Sequence, residues 1–284
     1  MEDRCVSVIG AGVMGRDLVY CFLRASYSVI AVDSDPGACD NLWPHVQRSH
    51  VLMRMLGHPH ADGAAIDSMR PRLRVSPSLR SIEGCGLVIE SASESIKVKK
   101  SIFSELKDVL DPGCLVATNT SCVPIGMIGD WLGNPGSVVG LHFMNPATLS
   151  KMVEVVVTDR TSVDARKRAL DVLAELGKRG IVVNDGPGFV TNSVLMTTIN
   201  ESIFLIESGR SCAKDIDALF REGLGHKMGP LETADLIGLD TILASLGVLL
   251  ELIPSPKYAA CPLLRSMVSE GALGRKSGQG FYSY

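Results

Sequence analysis

Two side chains in the stretch "LHFMNPATLSKMVEVV" could move a proton together: His142 and Glu154, twelve residues apart. Imidazole exchanges protons near neutral pH, so a histidine suits the base that takes an alcohol's proton while hydride leaves carbon. A carboxylate on the other ring nitrogen would set the tautomer and favour the imidazolium that forms. Glu154 sits in "MVEVVV", where an unpartnered carboxylate would be costly to bury. The competing reading is a structural histidine and an acid on an edge strand facing water.

Hydride needs an acceptor, and the segment "CVSVIGAGVMGRDLVYCFL" offers a place for one. Gly10, Gly12 and Gly15 form G-x-G-x-x-G, with Val13 and Met14 inside the turn. An apolar strand precedes it, an amphipathic helix follows, and a second strand, "SVIAVD", ends in Asp33. That βαβ context predicts a dinucleotide site. Gly10 permits the tight turn, Gly12 lets a pyrophosphate approach the backbone, and Gly15 lets helix and strand pack closely. The helix N-terminus offers N–H groups and a positive dipole end to the phosphates. Asp33 would accept from the adenosine ribose hydroxyls and, with Asp35 nearby, repel a 2′-phosphate, so NAD is expected rather than NADP.

Other polar residues follow apolar runs, where parallel strands end: Glu90, Ser91 and Glu94 after "LVI", and Asn119, Thr120 and Ser121 after "LVAT". Lys99 and Lys100 in "SIKVKKSIF" read as a solvated helix face. The "HPH" of His58 to His60 lacks further ligands, and no metal site is expected. Cys122 has no acyl-transfer constellation around it and reads as packing.

Positioning these groups takes alternating elements. Strand-like runs occur at "CVSVIG", "SVIAVD", "GLVIES", "CLVATNT", "SVVGLHF", "MVEVVVT" and "GIVVN", with helical patterns between several of them. The pattern predicts an α/β domain with a mainly parallel, doubly wound Rossmann-type sheet. Thr161 with Asp164 three residues on predicts a capping box before "SVDARKRALDVLAELG". After "NDGPG" the texture becomes helical, which predicts domains over 1–184 and 185–284, the second all-helical and opening with a long helix that ends near Gly209. The apolar run "LIGLDTILASLGVLLELI", broken by Asp240 and Glu251, reads as a buried helix rather than a membrane span.

The formal net charge of −3 gives no reason to expect a nucleic acid or an anionic membrane as partner. Eight scattered cysteines without a CxxC read as reduced core residues of a cytoplasmic protein. The start "MEDRC" does not predict a signal peptide.

The motifs "GAGVMG", "VIESASESIKVKKSIF", "ATNTS", "GLHFMNP", "KMVEVV", "DGPGFVTN", "MGPLETADLIGLD" and "GRKSGQGFY" follow one another along nearly the whole chain. In them the chain resembles the 3-hydroxyacyl-CoA dehydrogenase family, in its short 3-hydroxybutyryl-CoA dehydrogenase form. The resemblance implies NAD-dependent oxidation of a hydroxyacyl thioester, with His142 as acid–base residue and Glu154 as its partner. Ser121 would bond the substrate oxygen and touch the nicotinamide side, and Asn192 would orient the substrate. Glu94, Lys99, Asn145 and Lys276 fall on positions near the cofactor. The helical second domain would make a homodimer contact. The chain departs from the family pattern at Met144, Ser193, Gly225 and Lys227. The segment after Asp33, lysine-rich in CoA-using relatives, holds Arg48 and Arg54 but no lysine. That departure leaves an acyl carrier protein as an alternative carrier, as in polyketide hydroxymalonyl extender-unit pathways; a non-catalytic NAD sensor is a more distant alternative.

Overall fold

The computed structural model describes residues 4–57, 66–82 and 84–284. His58 to His60 lie outside the described residues. The chain divides into two compact units, one up to Gly186 and one from Pro187.

The first unit is built on one eight-stranded sheet. Its strands are β1 (Cys5–Ile9), β2 (Ser28–Val32), β3 (Leu73–Ser76), β4 (Leu87–Glu90), β5 (Leu115–Thr118), β6 (Val138–Phe143), β7 (Met152–Val157) and β8 (Arg179–Asn184). Their order is β3-β2-β1-β4-β5-β6-β7-β8. Neighbours are parallel except β6 and β7, which pair antiparallel. Seven strands fall where the apolar runs lie; β3 has no such run. Its sequence "LRVS" has only Leu73 buried, as befits an edge strand whose outer positions face water. Every residue of β4, β5 and β6 is buried, the burial pattern of strands covered on both faces.

The helix Val13–Arg24 follows β1 directly and buries a run from Leu18 to Leu23 against the sheet core. The helix Val163–Glu175 starts at Ser162, whose side chain accepts from Ala165 N–H at 3.1 Å. Ser162, not Thr161, is therefore the cap; the Thr161 hydroxyl is spent on the Val138 carbonyl. All eight cysteines are thiols rather than disulfides, yet not all lie in the core: Cys212 is exposed, and Cys5 and Cys39 are half-buried. The Cys5 and Cys85 sulfurs touch at 3.0 Å.

The second unit is helical. Its long helix Thr191–Glu207 ends two residues before Gly209, which has φ +69°. The run read as a single apolar helix is two: Pro230–Ile237 and Leu239–Leu252, bent by 96°. Gly238 at φ +105° makes the corner, a conformation that side chains other than hydrogen resist. Leu239, Ile242, Leu246 and Leu249 line the buried face of the later helix. Among the described residues no single helix is long and apolar enough to cross a membrane; the bent pair passes on length and composition alone. The Asp217 carboxylate accepts from Leu231 and Glu232 N–H, both at 2.8 Å, and so caps the first of these helices.

Candidate active site

His142 and Glu154 are direct partners across the β6–β7 register. Antiparallel pairing sets two such side chains on one face of the sheet, side by side. The twelve-residue spacing is the hairpin's own length, and the pair forms because the chain turns back. His142 Nδ1 lies 2.9 Å from Glu154 Oε2, and both side chains are buried. An ionised carboxylate can only accept, so in this pairing Nδ1 carries the proton and Nε2 is the ring nitrogen able to accept one. The edge-strand reading of Glu154 fails because β7 lies between β6 and β8.

The glycine turn is built as its spacing predicts. Gly10 has φ +95°, and a Cβ there would stand 2.6 Å from the Ser91 carbonyl. A Cβ on Gly15 would stand 1.8 Å from the Gly10 carbonyl, so only glycine lets the helix close on the turn. A Cβ on Gly12 would meet nothing within 4 Å. Internal packing therefore does not demand a glycine there, whereas close approach of a ligand would. The helix opens at Val13 and Met14 with no side-chain cap and no acid in its first turn. Its N–H groups keep the positive end that suits a pyrophosphate. At the end of β2, Asp33 Oδ2 accepts from Ala11 N–H at 2.6 Å and Oδ1 from Asp35 N–H at 2.9 Å. Those two bonds fix the carboxylate beside the turn, with lone pairs remaining for ribose hydroxyls.

A polar cluster fills the ends of β4 and β5. Glu94 accepts from the Thr120 hydroxyl, from Ser121 N–H at 2.9 Å and from Cys122 N–H at 2.8 Å. It therefore shapes the turn that presents Ser121. Lys99 is not on a solvated face. It is fully buried, with Nζ 2.7 and 2.9 Å from the Glu90 oxygens and 3.6 Å from Glu94. Lys100, the next residue, is exposed. The helix Ile96–Leu106 turns one lysine inward and its neighbour out. Asn119 ties β4 to β6: its Nδ2 donates to Ser91 Oγ at 3.2 Å, and its Oδ1 accepts from Phe143 N–H at 2.9 Å. Asn145 is exposed on the loop between β6 and β7.

That loop has an anchor which no local pattern announces. Lys178 Nζ donates to the carbonyls of Ala147 and Ser150, each at 2.6 Å. Burial lowers its pKa below the ordinary lysine value. The loop joins His142 to Glu154 and carries Asn145, so Lys178 holds it from 28 and 31 residues along the chain. Among the described residues no group of three or more His, Cys, Asp or Glu side chains could hold a metal ion.

Two expected site residues lie in the second unit. Asn192 is in the first turn of the helix Thr191–Glu207. Lys276 Nζ pairs with Asp240, 2.6 Å from Oδ2. Burial works against ionisation of Asp240, but Lys276 and the Thr241 N–H outweigh it and hold the carboxyl below its usual value.

Residues 5–186 match the family model for the 3-hydroxyacyl-CoA dehydrogenase NAD binding domain, and residues 188–284 match the model for the C-terminal domain. A 3-hydroxybutyryl-CoA dehydrogenase of Bradyrhizobium diazoefficiens is 36% identical over 282 residues, covering 98% of this chain and 94% of that one. The crystal structure of (S)-3-hydroxybutyryl-CoA dehydrogenase from Ralstonia eutropha superposes with a TM-score of 0.88 at 32% identity, over 100% of this chain and 99% of the other. The structure of Mycobacterium tuberculosis FadB2 gives a TM-score of 0.91 at 33% identity, over 99% of both chains.

Proposed function

Because the chain belongs to the 3-hydroxyacyl-CoA dehydrogenase family, an NAD-dependent oxidoreductase family, we propose that it oxidises the hydroxyl of a short 3-hydroxyacyl-CoA, of the 3-hydroxybutyryl type, to the ketone. The observation that carries this reading is the buried His142–Glu154 pair at 2.9 Å in a unit that also holds the glycine turn. His142 takes the hydroxyl proton on Nε2. Glu154 keeps the ring in the productive tautomer and stabilises the imidazolium as it forms. Bound NAD supplies the hydride acceptor. Asp33 and the turn from Gly10 to Gly15, with Val13 and Met14, bind its adenosine and pyrophosphate. Ser121, on the turn that Glu94 organises, holds the reacting oxygen. Lys99 acts through the carboxylates it pairs with. The roles of Asn145, Asn192 and Lys276 rest on the family resemblance.

The test is NAD reduction with 3-hydroxybutyryl-CoA, followed by the nicotinamide absorbance. Turnover that survives removal of the His142 imidazole would sink the assignment. A second reading concerns the carrier. The helix Leu42–Met55 holds Arg48 and Arg54 and no lysine, so a thioester on an acyl carrier protein, which lacks the adenosine 3′-phosphate, would lose nothing there. Turnover with the carrier-protein thioester and none with the CoA ester would favour it. Homodimer formation through the second unit and a cytoplasmic location complete the proposal; sedimentation against monomer mass checks the former.

A further inference from the structure

The end of β4 carries a carboxylate that the reading above uses only as a partner of Lys99. Glu90 is fully buried. Its Oε1 accepts from Lys99 Nζ and from Ala92 N–H, both at 2.7 Å. Its Oε2 accepts from Lys99 Nζ at 2.9 Å and from Thr118 Oγ1 at 2.6 Å. A carboxylate has about four acceptor sites, and all are taken. Glu90 therefore has no capacity left to serve as a base or to bond a cofactor. Its partners instead come from three elements: the end of β5, the loop after β4, and the helix Ile96–Leu106.

Lys99 is as deeply buried. Its ammonium sits closer to Glu90 than to Glu94, whose Oε2 is 3.6 Å away. Glu94 is the more open of the two acids, with 23% of its side chain exposed against none for Glu90. The trio holds two carboxylates and one ammonium, so one negative charge is in excess. The distances give the ammonium to Glu90 and leave the excess on Glu94, the acid that also holds Ser121 N–H.

We propose that Glu90 is a positioning residue for the cofactor: by drawing the Lys99 ammonium nearer to itself than to Glu94 it keeps a net negative charge at the ends of β4 and β5 that favours oxidised NAD over NADH. The proposal rests on the dehydrogenase reading, with Glu94 toward the nicotinamide. The nicotinamide ring is cationic in NAD and neutral in NADH, so an uncompensated carboxylate near it binds the oxidised form better. Replacing Glu90 by an amide would release Lys99 onto Glu94 and cancel the excess.

The test is the ratio of Kd for NAD to Kd for NADH, measured by calorimetry and by NADH fluorescence on the full chain. In Glu90→Gln that ratio should rise about tenfold, the scale of one screened charge contact. Thr118→Val removes one bond to Glu90 without touching charge; it should lower Tm and leave the ratio as in wild type. If Glu90→Gln does not fold, the double variant Glu90→Gln with Lys99→Met decides. It has no stranded buried ion and leaves Glu94 uncompensated, so its ratio should stay near wild type. An unchanged ratio in Glu90→Gln, or a raised ratio in the double variant, overturns the proposal and leaves Glu90 as a fold residue only. A wild-type protein that binds neither nicotinamide would instead remove the dehydrogenase reading, and this inference with it.

Discussion

The proton transfer proposed for His142 uses a ring whose Nδ1 lies 2.9 Å from Glu154 Oε2. His142→Ala should lower kcat by at least ~10²-fold, the usual scale for losing a positioned acid–base group, with Kd for NADH little changed. Glu154→Gln should also lower kcat by roughly 10²-fold or more, because an amide oxygen and an amide N–H can each face Nδ1 and the tautomer is no longer fixed. Steady-state kinetics beside NADH titration checks both, and a parallel loss of NADH affinity would point to a damaged fold instead. Much of this site was legible in the sequence. A carboxylate amid valines needs a partner, and the histidine after "VVGL" could supply one. The burial of Lys99 was not legible in its own segment, although the family resemblance put the residue near the cofactor. "IKVKK" has the look of a charged helix face, and the acid that draws Lys99 inward lies nine residues back on another element. Lys178 was hidden for the same reason, since its partners are backbone carbonyls of a distant loop.

Elements carry their own tests. Gly15→Ala should cost NAD affinity at least tenfold and lower Tm, because its Cβ would stand 1.8 Å from the Gly10 carbonyl and force the turn from the helix. Titration of NADH and a thermal melt read the two effects. At the corner of the second unit, Asp240 has its carboxyl held below the usual value by Lys276. A lowered folded pKa means stability that is present above the unfolded value of about 4 and is lost as pH falls through the folded one. Both side chains are close to half exposed, so Asp240→Asn should cost no more than about 1 kcal/mol at neutral pH and nothing once the wild-type carboxyl is protonated. Urea melts of both proteins at neutral and acid pH measure the difference. The strands that sequence pattern finds are those with an apolar run, the central ones and edge strand β8. Edge strand β3 escapes because arginine and serine fill its outward positions. The bend at Gly238 escapes too, since an apolar run on both sides of one glycine reads as continuous helix while φ +105° ends it.

At the scale of the whole molecule, cofactor identity becomes a stability measurement. A ligand that binds only the folded chain stabilises it by RT ln(1 + [L]/Kd), about 2.7 kcal/mol at a hundred times Kd. For a unit of this size each kcal/mol shifts Tm by about 2–4 °C, so saturating NAD should raise the melting transition by roughly 5–11 °C. NADP at the same concentration should raise it far less if Asp33, held by Ala11 and Asp35 N–H, has the proposed role of repelling the 2′-phosphate. Asp33→Ser should shrink the NAD shift and enlarge the NADP shift, since the serine hydroxyl can donate to a phosphate where the carboxylate repels it. Differential scanning fluorimetry with both nucleotides on both proteins gives four shifts. Equal NAD and NADP shifts in the wild type would refute the role of Asp33 even if turnover with NAD were normal. A wild-type preference that the serine variant retains unchanged would move the discrimination to another residue near the end of β2.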